Sequence, residues 1–442
     1  MVWLKNKYPI LFISAIALFI GFVGCFKQDF IILKNSKFKE VENLEDIFIV
    51  QGYAALDTNN YASAKEAFAN AYAINPNPSY LKEILGILVA QNQLEEAQKE
   101  AYAFLKQYPK DEVVRSVLVG ILTNNKQFDL ALKEAKTLLN YHKNAENYEL
   151  ISSVYFLRQD YKNASKYLQL AYNLNQSPFL LDKLAATHLL FLKDSKTALS
   201  LYETHIKTHG ITKPIGDKLA TIYLESKLYF DAARIYTLLF EETNLQDYAR
   251  FVLEIYAKNK RLDLAESFLL KHPNINTRDA LLFEIYRLQK NVKKSIQQAE
   301  MIYQNTQDSN FLAYKAMLSY ESTKKRTKIY LQTIEKDLKE AAQKTNEPLY
   351  WNYLGYLMID HDFNNLERVR EGIKYIKKAL EKDPNNPYYL DSLAWGYFKL
   401  KDCENAKTQM DKIPYSEIQK EEELKIHYQK ILTCIQSKNK DK

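Results

Sequence analysis

Small residues recur along this chain with a nearly constant period. Seven alanines follow one another at intervals of 33, 34, 33, 34, 34 and 33 residues: Ala64, Ala97, Ala131, Ala164, Ala198, Ala232 and Ala265. An aromatic or apolar residue stands three positions before most of them, including Tyr61, Phe128, Tyr161, Tyr229 and Leu262. Unrelated amphipathic helices would not produce six consecutive intervals of this size, so the pattern predicts a tandem structural repeat.

Each repeat is predicted to be a pair of antiparallel α-helices. The alanine marks the place where the two helices of a unit and the first helix of the next unit come closest, because a larger side chain there would push them apart. Pro76 and Pro109 stand twelve residues after an alanine, where they would end the second helix. Only 10 Gly and 11 Pro occur in 442 residues, which favours a mostly helical protein.

A 34-residue helical repeat with a small residue at this place resembles the tetratricopeptide repeat. The resemblance is strongest near the C-terminus, where Trp351, Leu354 and Gly355 have the expected spacing in a first helix. A lengthened unit followed by the run 391–395 (Asp-Ser-Leu-Ala-Trp) is similar to the C-terminal end of a family of bacterial tetratricopeptide lipoproteins. The resemblance implies an all-α fold, a right-handed superhelical solenoid of helix-turn-helix repeats with a C-terminal capping helix.

The periodicity also divides the chain. Residues 45–307 are predicted to form an array of about eight repeats, and residues 347–414 two further units. Residues 308–346 lack the register and are predicted to be an irregular helical joint. An apolar stripe at helical spacing predicts a capping helix over residues 415–436, followed by a disordered tail at 437–442, and residues 26–44 are predicted to be a linker or N-terminal helix.

The N-terminal 25 residues have the layout of an export signal. Lys5 and Lys7 precede an uncharged stretch over residues 8–26, which ends in Phe22-Val23-Gly24-Cys25 and resembles a bacterial lipobox. The resemblance implies that Cys25 becomes the lipidated first residue, and Phe26 after it fits an outer-membrane lipoprotein. An uncleaved single-pass anchor in the inner membrane is a second reading, because nineteen uncharged residues can span a bilayer, and plain secretion is a third.

The other two cysteines, Cys403 and Cys434, could form a disulfide only if their helices place them side by side. If the chain turns back near Pro414, the rise of a helix places Cys434 about 10 Å beyond Cys403. This offset is too large for a disulfide, so the two cysteines are predicted to be unpaired.

Composition and motifs argue against catalysis. The 61 basic and 54 acidic residues give a mixed surface, without the concentrated basic face of a nucleic-acid binder. No phosphate-binding loop, nucleophile elbow or His-Glu-x-x-His motif is present. His205 and His209 are spaced like metal ligands on one helix face, but we interpret His205 as a structural residue at a packing position. We therefore expect no enzyme, cofactor, metal or small-molecule substrate.

Partners are expected to contact the groove lined by first helices. Counting from the alanines places the following residues there: Tyr53, Glu149, Ser153, Lys183, Thr187, Asp217, Arg250, Glu254 and Arg287. The same count in the two C-terminal units gives Asn352, Tyr356, Asp391, Trp395 and Phe398. This second set combines aromatic rings with amide and carboxylate groups, as binding hot spots do. The alternative is that some of these aromatic residues, Trp395 above all, pack against the capping helix.

The function expected from these features is a scaffold or adaptor lipoprotein of the bacterial envelope. It would face the periplasm and bind periplasmic or membrane proteins or peptides, with a lipid or anchor holding it to the membrane. The relatives implied by the resemblance include a tethering partner of a periplasmic protease. The alternative is a structural part of a large envelope machine, such as the periplasmic scaffold of a flagellar motor, or an outer-membrane or pilus assembly factor.

Overall fold

The computed structural model describes residues 44–440 except residues 325 and 363. In that range the chain forms 24 α-helices and one π-helical segment, and no strand. The described residues up to 242 and those from 243 onward form two compact units, called here the N-terminal and C-terminal units. The predicted all-α fold is confirmed, whereas the predicted signal peptide and Cys25 lie outside the described residues.

The N-terminal unit consists of six successive helix pairs. Their helices are α1 Leu44–Asp57, α2 Tyr61–Ile74, α3 Pro78–Ala90, α4 Leu94–Gln107, α5 Glu112–Asn124, α6 Phe128–Tyr141, α7 Ala145–Leu157, α8 Tyr161–Leu174, α9 Pro178–Ala186, α10 Ser195–His209, α11 Lys213–Glu225 and α12 Tyr229–Thr243. The π-helical segment, Thr187–Phe191, continues α9.

The C-terminal unit consists of five helix pairs and two closing helices. The pairs are formed by α13 Gln246–Lys258, α14 Leu262–Lys271, α15 Arg278–Leu288, α16 Val292–Thr306, α17 Ser309–Ser322, α18 Lys328–Thr345, α19 Pro348–Asp360, α20 Leu366–Lys382, α21 Pro387–Lys399 and α22 Cys403–Met410. The closing helices are α23 Tyr415–Ile418 and α24 Glu422–Lys440. Residues 308–346, predicted to be an irregular joint, contain the helices α17 and α18.

The turns inside the first eight helix pairs share one backbone feature. A residue with positive φ stands five positions before each register alanine: Asn59, Asn92, Lys126, Gln159, Lys193, Lys227 and Lys260. Lys290 holds this place before Ser295, which therefore continues the register although it is not an alanine. A left-handed residue ends the first helix and reverses the chain, so the repeat is present in the backbone as well as in the sequence.

The register residues are also the most deeply buried positions. Ala64, Ala97, Ala131, Ala164, Ala198 and Ala232 are fully buried, Ala265 is 3% exposed, and Ser295 is 1% exposed. Polar residues at the helix starts cap the first turn, as Asp111 does by accepting the N–H of Val114 at 3.0 Å. Small residues therefore fix the spacing of the helices, and capping residues fix where they begin.

The C-terminal end differs from the prediction in two respects. One capping helix was predicted over residues 415–436, but the structure has the short α23, a turn, and the longer α24. The predicted disordered tail begins at Ser437, whereas α24 continues to Lys440, because no Gly or Pro interrupts it there.

Cys403 and Cys434 form a disulfide, with their Cα atoms 5.9 Å apart. The prediction of unpaired cysteines was therefore wrong. It assumed that the chain reverses near Pro414, but α23 and a turn carry the chain further before α24 begins at Glu422. Because α23 and the turn use up residues 415–421, fewer residues of α24 precede Cys434, and Cys434 therefore lies beside Cys403 and not beyond it.

None of the helices in the described part of the chain is long and apolar enough to cross a bilayer.

Candidate partner-binding faces

One equivalent position in the first helices of the N-terminal unit holds an aromatic residue in the first pair and a small residue in each later pair. The residues at the same place in successive first helices are Tyr53, Gly86, Gly120, Ser153, Thr187 and Thr221. We call the surface formed by these positions and their neighbours, apart from the fully buried Thr187, the first-helix face. Tyr53 is 39% exposed, and its hydroxyl donates to Glu83 Oε1 at 3.0 Å. Partial burial and the nearby carboxylate raise the pKa of Tyr53 to about 12.

Gly86 and Gly120 belong to this face, although they were not among the predicted site residues. Both are exposed in the middle of a helix, and a Cβ added to either would meet no atom within 4 Å. The sequence carried a signal for them, because they lie 33 and 34 residues from Tyr53 and Gly86, respectively. They were missed because the prediction looked for side chains that could form contacts.

Four predicted residues of the N-terminal unit meet one another. The ammonium group of Lys183 donates to Glu149 Oε1 at 2.5 Å and lies 4.4 Å from the centre of the Phe179 ring. Ser153 Oγ donates to the carbonyl oxygen of Glu149, and Thr187 Oγ1 to that of Lys183 at 2.7 Å.

Burial decides which of these residues a partner could reach. Lys183 is 3% exposed and Thr187 is fully buried, so their predicted role in partner contact is not supported. The reason is the repeat itself, which places the lysine 34 residues after an acidic residue and so against it. Asp217 differs, because its side chain is 44% exposed and lies 4.0 Å from the ammonium group of Lys213.

The predicted residues at the start of the C-terminal unit lie on an open, charged surface. Arg250 pairs with Asp247 at 2.9 Å and with Glu254 at 3.3 Å. Arg287 pairs with Glu284 at 3.2 Å, and its guanidinium lies 5.7 Å from the Phe283 ring centre. Exposed pairs of this kind contribute little to stability, so these groups can exchange partners at small cost.

The predicted hot spot of the last two units is covered by α24. Tyr356 donates its hydroxyl to Glu423, and Asp391 binds His427 Nδ1 at 2.9 Å. The His427 ring also stacks on Trp395, with ring centres 4.0 Å apart. The alternative of packing against a capping helix therefore holds for Tyr356, Asp391 and Trp395. These residues are not open to a partner, because the C-terminal helix of the same chain binds them.

Burial under α24 changes the electrostatics of this surface. Asp391 is 4% exposed, and burial raises the pKa of its carboxyl group although His427 opposes the shift. Burial, followed by the hydrogen bond to Glu423, raises the pKa of the Tyr356 phenol. Asn352 and Trp395 are 8% and 5% exposed, and Asn352 Oδ1 and Trp395 Nε1 are buried without a hydrogen-bond partner. Phe398 is half-buried beside them.

The structure supports the interpretation of His205 as a packing residue. His205 is 4% exposed, its Nδ1 lies 2.7 Å from the Tyr172 hydroxyl, and its ring stacks on His209. Burial lowers the pKa of His205. Among the described residues there is no group of three or more His, Cys, Asp or Glu side chains that could hold a metal ion.

Paired helices repeating every 33 or 34 residues, with a small buried residue at one place in each second helix, define a tetratricopeptide-type repeat protein. No protein-family model matches the chain, and no protein of curated function matches its sequence.

Several solved structures of helical-repeat proteins are similar. A tetratricopeptide repeat protein from Parabacteroides merdae ATCC 43184 has 17% identity and a TM-score of 0.35, over 55% of this chain and 98% of that chain. TTC0263, a thermophilic TPR protein of Thermus thermophilus, has 18% identity and a TM-score of 0.30, over 41% and 99%. The Cut9–Hcn1 hetero-tetramer of the APC/C has 12% identity and a TM-score of 0.34, over 88% and 96%. Because these scores are low, the assignment rests on the helix register.

Proposed function

We propose that this chain is a non-enzymatic scaffold or adaptor lipoprotein of the bacterial cell envelope, which binds periplasmic protein partners. The first-helix face of the N-terminal unit is its main contact surface. A partner held there is brought to the membrane through the lipid on Cys25.

The main support for this proposal is that Gly86 and Gly120 are exposed glycines in the middle of helices. Glycine inside a helix costs about 0.5–1 kcal/mol relative to alanine. Neither glycine offsets this cost by close packing within the unit, since a Cβ would point into open space. A partner whose backbone approaches these helices closely would account for both glycines.

The large share of the described chain that is taken up by helix pairs supports a binding role over catalysis. Helix pairs and the closing helices occupy the described range from residue 44 to residue 440, with short turns between them. Charged groups commonly pair across neighbouring repeats, as Lys65 does with Glu96 at 2.6 Å and Lys82 with Asp111 at 2.6 Å. Such groups organise a stack of repeats, and scaffold proteins use repeats of this kind as extended contact surfaces.

The cysteines support a place outside the cytoplasm. Two of the three cysteines form the Cys403–Cys434 disulfide, and the third ends the lipobox-like run. Disulfides persist in oxidising compartments such as the periplasm and are rare in the cytosol.

Crosslinking and purification of the full chain from its native envelope test the binding role. An adaptor that delivers clients should co-purify with a protease and hydrolases, whose levels rise when the chain is lost. A structural machine part should instead co-purify with its machine at fixed stoichiometry and leave protein turnover unchanged. Recovery of the chain with no protein partner contradicts both.

Labelling with radioactive palmitate tests the anchor. The native chain is expected to take up the label, and Cys25→Ala is expected to lose it because it lacks the proposed attachment site. Gly24→Ala keeps a small residue before the cysteine and serves as the matched control, which should keep the label. If the native chain takes up no label, or if Cys25→Ala keeps it, the chain is not held by a lipid on Cys25.

A further inference from the structure

Helix α24 lies where a peptide ligand of the last two repeats would lie. It contacts the first helices α19 and α21 through Tyr356, Asp391 and Trp395, which are bound by Glu423 and His427. These contacts are polar or aromatic, and beside them Leu424 and Ile431 of α24 pack in an apolar cluster with Leu390 and Ala394 of α21. The sequence predicted these first-helix residues as a hot spot, and the chain itself supplies the present occupant.

The fit of α24 to this surface is incomplete. The ring of His427 stacks on Trp395 but leaves the buried Trp395 Nε1 without a hydrogen-bond partner, and Asn352 Oδ1, one turn before Tyr356 on α19, is also buried without one. Ile426 on α24 is 42% exposed, and a cleft of about 490 Å³ lies between α24 and Phe398. An occupant that satisfied both atoms and filled the cleft would match this surface better.

The buried side chains of α24 lie in its first half, whereas Leu432 and Ile435 in its second half are only partly buried. Its buried side chains are Leu424, His427 and Ile431, and no residue after Ile431 is buried among those whose side chains are described. The second half is tied to α22 by the Cys403–Cys434 disulfide. Cys403 is fully buried, whereas Cys434 is partly exposed and lines the cleft together with Phe398 and Lys430.

We propose that α24 is a displaceable occupant of a binding site for an amphipathic helix of a protein partner, and that the Cys403–Cys434 disulfide controls its release. The partner helix would supply a donor to Asn352 Oδ1, an acceptor to Trp395 Nε1 and an apolar side chain to the cleft beside Phe398. The arrival of a partner rests on the proposed function, whereas the release of α24 does not.

The release step is a thiol–disulfide exchange with a dithiol of the oxidoreductase class. One thiolate of the dithiol attacks Cys434 Sγ, the sulfur that lines the cleft, and Cys403 leaves as a thiolate. The second thiol of the dithiol, as its thiolate, attacks the mixed disulfide and releases Cys434. The disulfide of this chain gains two electrons and two protons, and the dithiol is oxidised to its own disulfide. The ammonium group of Lys430 beside the cleft favours the approach of an anionic thiolate.

Hydrogen exchange on the full chain tests the release, with dithiothreitol as the dithiol. Reduction is expected to speed amide exchange in α24 at least 10-fold while α19–α22 remain protected. Cys434→Ser should reproduce this pattern without a reductant. Unchanged protection of α24 would show a permanent cap, and joint loss of protection over α19–α24 would show a purely structural staple. Either result overturns the proposal.

Competition tests the vacated site. The probe is a fluorescent peptide with the sequence of residues 419–437 and serine in place of Cys434. It should bind full-length Cys434→Ser at least 10-fold more tightly than the oxidised native chain, and adding Asp391→Asn should weaken that binding. Equal binding to the oxidised chain and to Cys434→Ser overturns the proposal. Failure of the scaffold function would instead appear as missing partners in the envelope purification, with the peptide result unchanged.

Discussion

At the scale of single residues, the smallest side chains define both the packing and the open surface. Gly355 and Gly372 face each other where α19 crosses α20, and a Cβ on Gly355 would lie 2.6 Å from the Gly372 carbonyl oxygen. A Cβ on Gly120, by contrast, would meet no atom within 4 Å. The alanine register and Gly355 could be predicted from the sequence, because close packing demands small residues at fixed spacing. No packing constraint requires glycine at positions 86 and 120, so the structure was needed to distinguish these exposed glycines from the packed Gly355.

Alanine substitution should have opposite effects at these two kinds of glycine. Gly355→Ala forces α19 and α20 apart and is expected to lower the free energy of unfolding by about 1–3 kcal/mol. Gly120→Ala adds a methyl group in open space and should raise it by about 0.5–1 kcal/mol. Urea unfolding measures both. A loss of stability in Gly120→Ala would mean that the position has a packing role.

His205 should make the N-terminal unit sensitive to acid. Burial lowers its folded-state pKa below the ordinary value of 6.5. The unfolded chain therefore takes up a proton first, and stability present above pH 6.5 is lost as the pH falls through the folded-state pKa. The urea midpoint of the native chain should fall between pH 7.5 and pH 5.5, and less so in His205→Gln. Tyr172→Phe keeps the burial and should keep the native slope. An identical slope in His205→Gln would contradict this origin.

At the scale of helices, neighbours decide what a predicted contact residue does. The repeat register placed Glu149, Lys183, Asp391 and Trp395 correctly on first helices, but it could not show what covers them. Glu149 binds Lys183 of the next pair, and α24 covers Asp391 and Trp395. A spacing rule specifies the face of a helix, whereas burial depends on segments distant in sequence. The same limit explains why the disulfide was missed.

The Glu149–Lys183 pair provides a test of this coupling between helices. Glu149→Leu leaves the buried ammonium group of Lys183 without its carboxylate and is expected to cost on the order of 3 kcal/mol. Glu149→Leu with Lys183→Leu should recover most of that loss, because an apolar pair needs no charge compensation. Urea unfolding of both single variants and the double variant completes the cycle. If the losses simply add, the two side chains are not coupled.

At the scale of the whole molecule, nearly all of the described chain is repeat. The N-terminal unit keeps an open first-helix face at Gly86 and Gly120, whereas the last two pairs of the C-terminal unit have theirs covered by α24. The two units thus differ in what they offer to a partner, although both are built from helix pairs. We infer that the N-terminal unit binds partners constitutively and that the last two pairs of the C-terminal unit bind them only after α24 leaves.

The first-helix face of the N-terminal unit is the surface that we propose binds other proteins. Photo-crosslinking side chains at positions 86 and 120 of the full chain, in its native envelope, test this proposal directly. Ala73 and Lys99 are exposed on the second helices α2 and α4 and provide the control positions. We expect adducts with other proteins from positions 86 and 120 and few or none from positions 73 and 99. No adducts from the glycine positions, or equal yields from all four, would contradict this proposal.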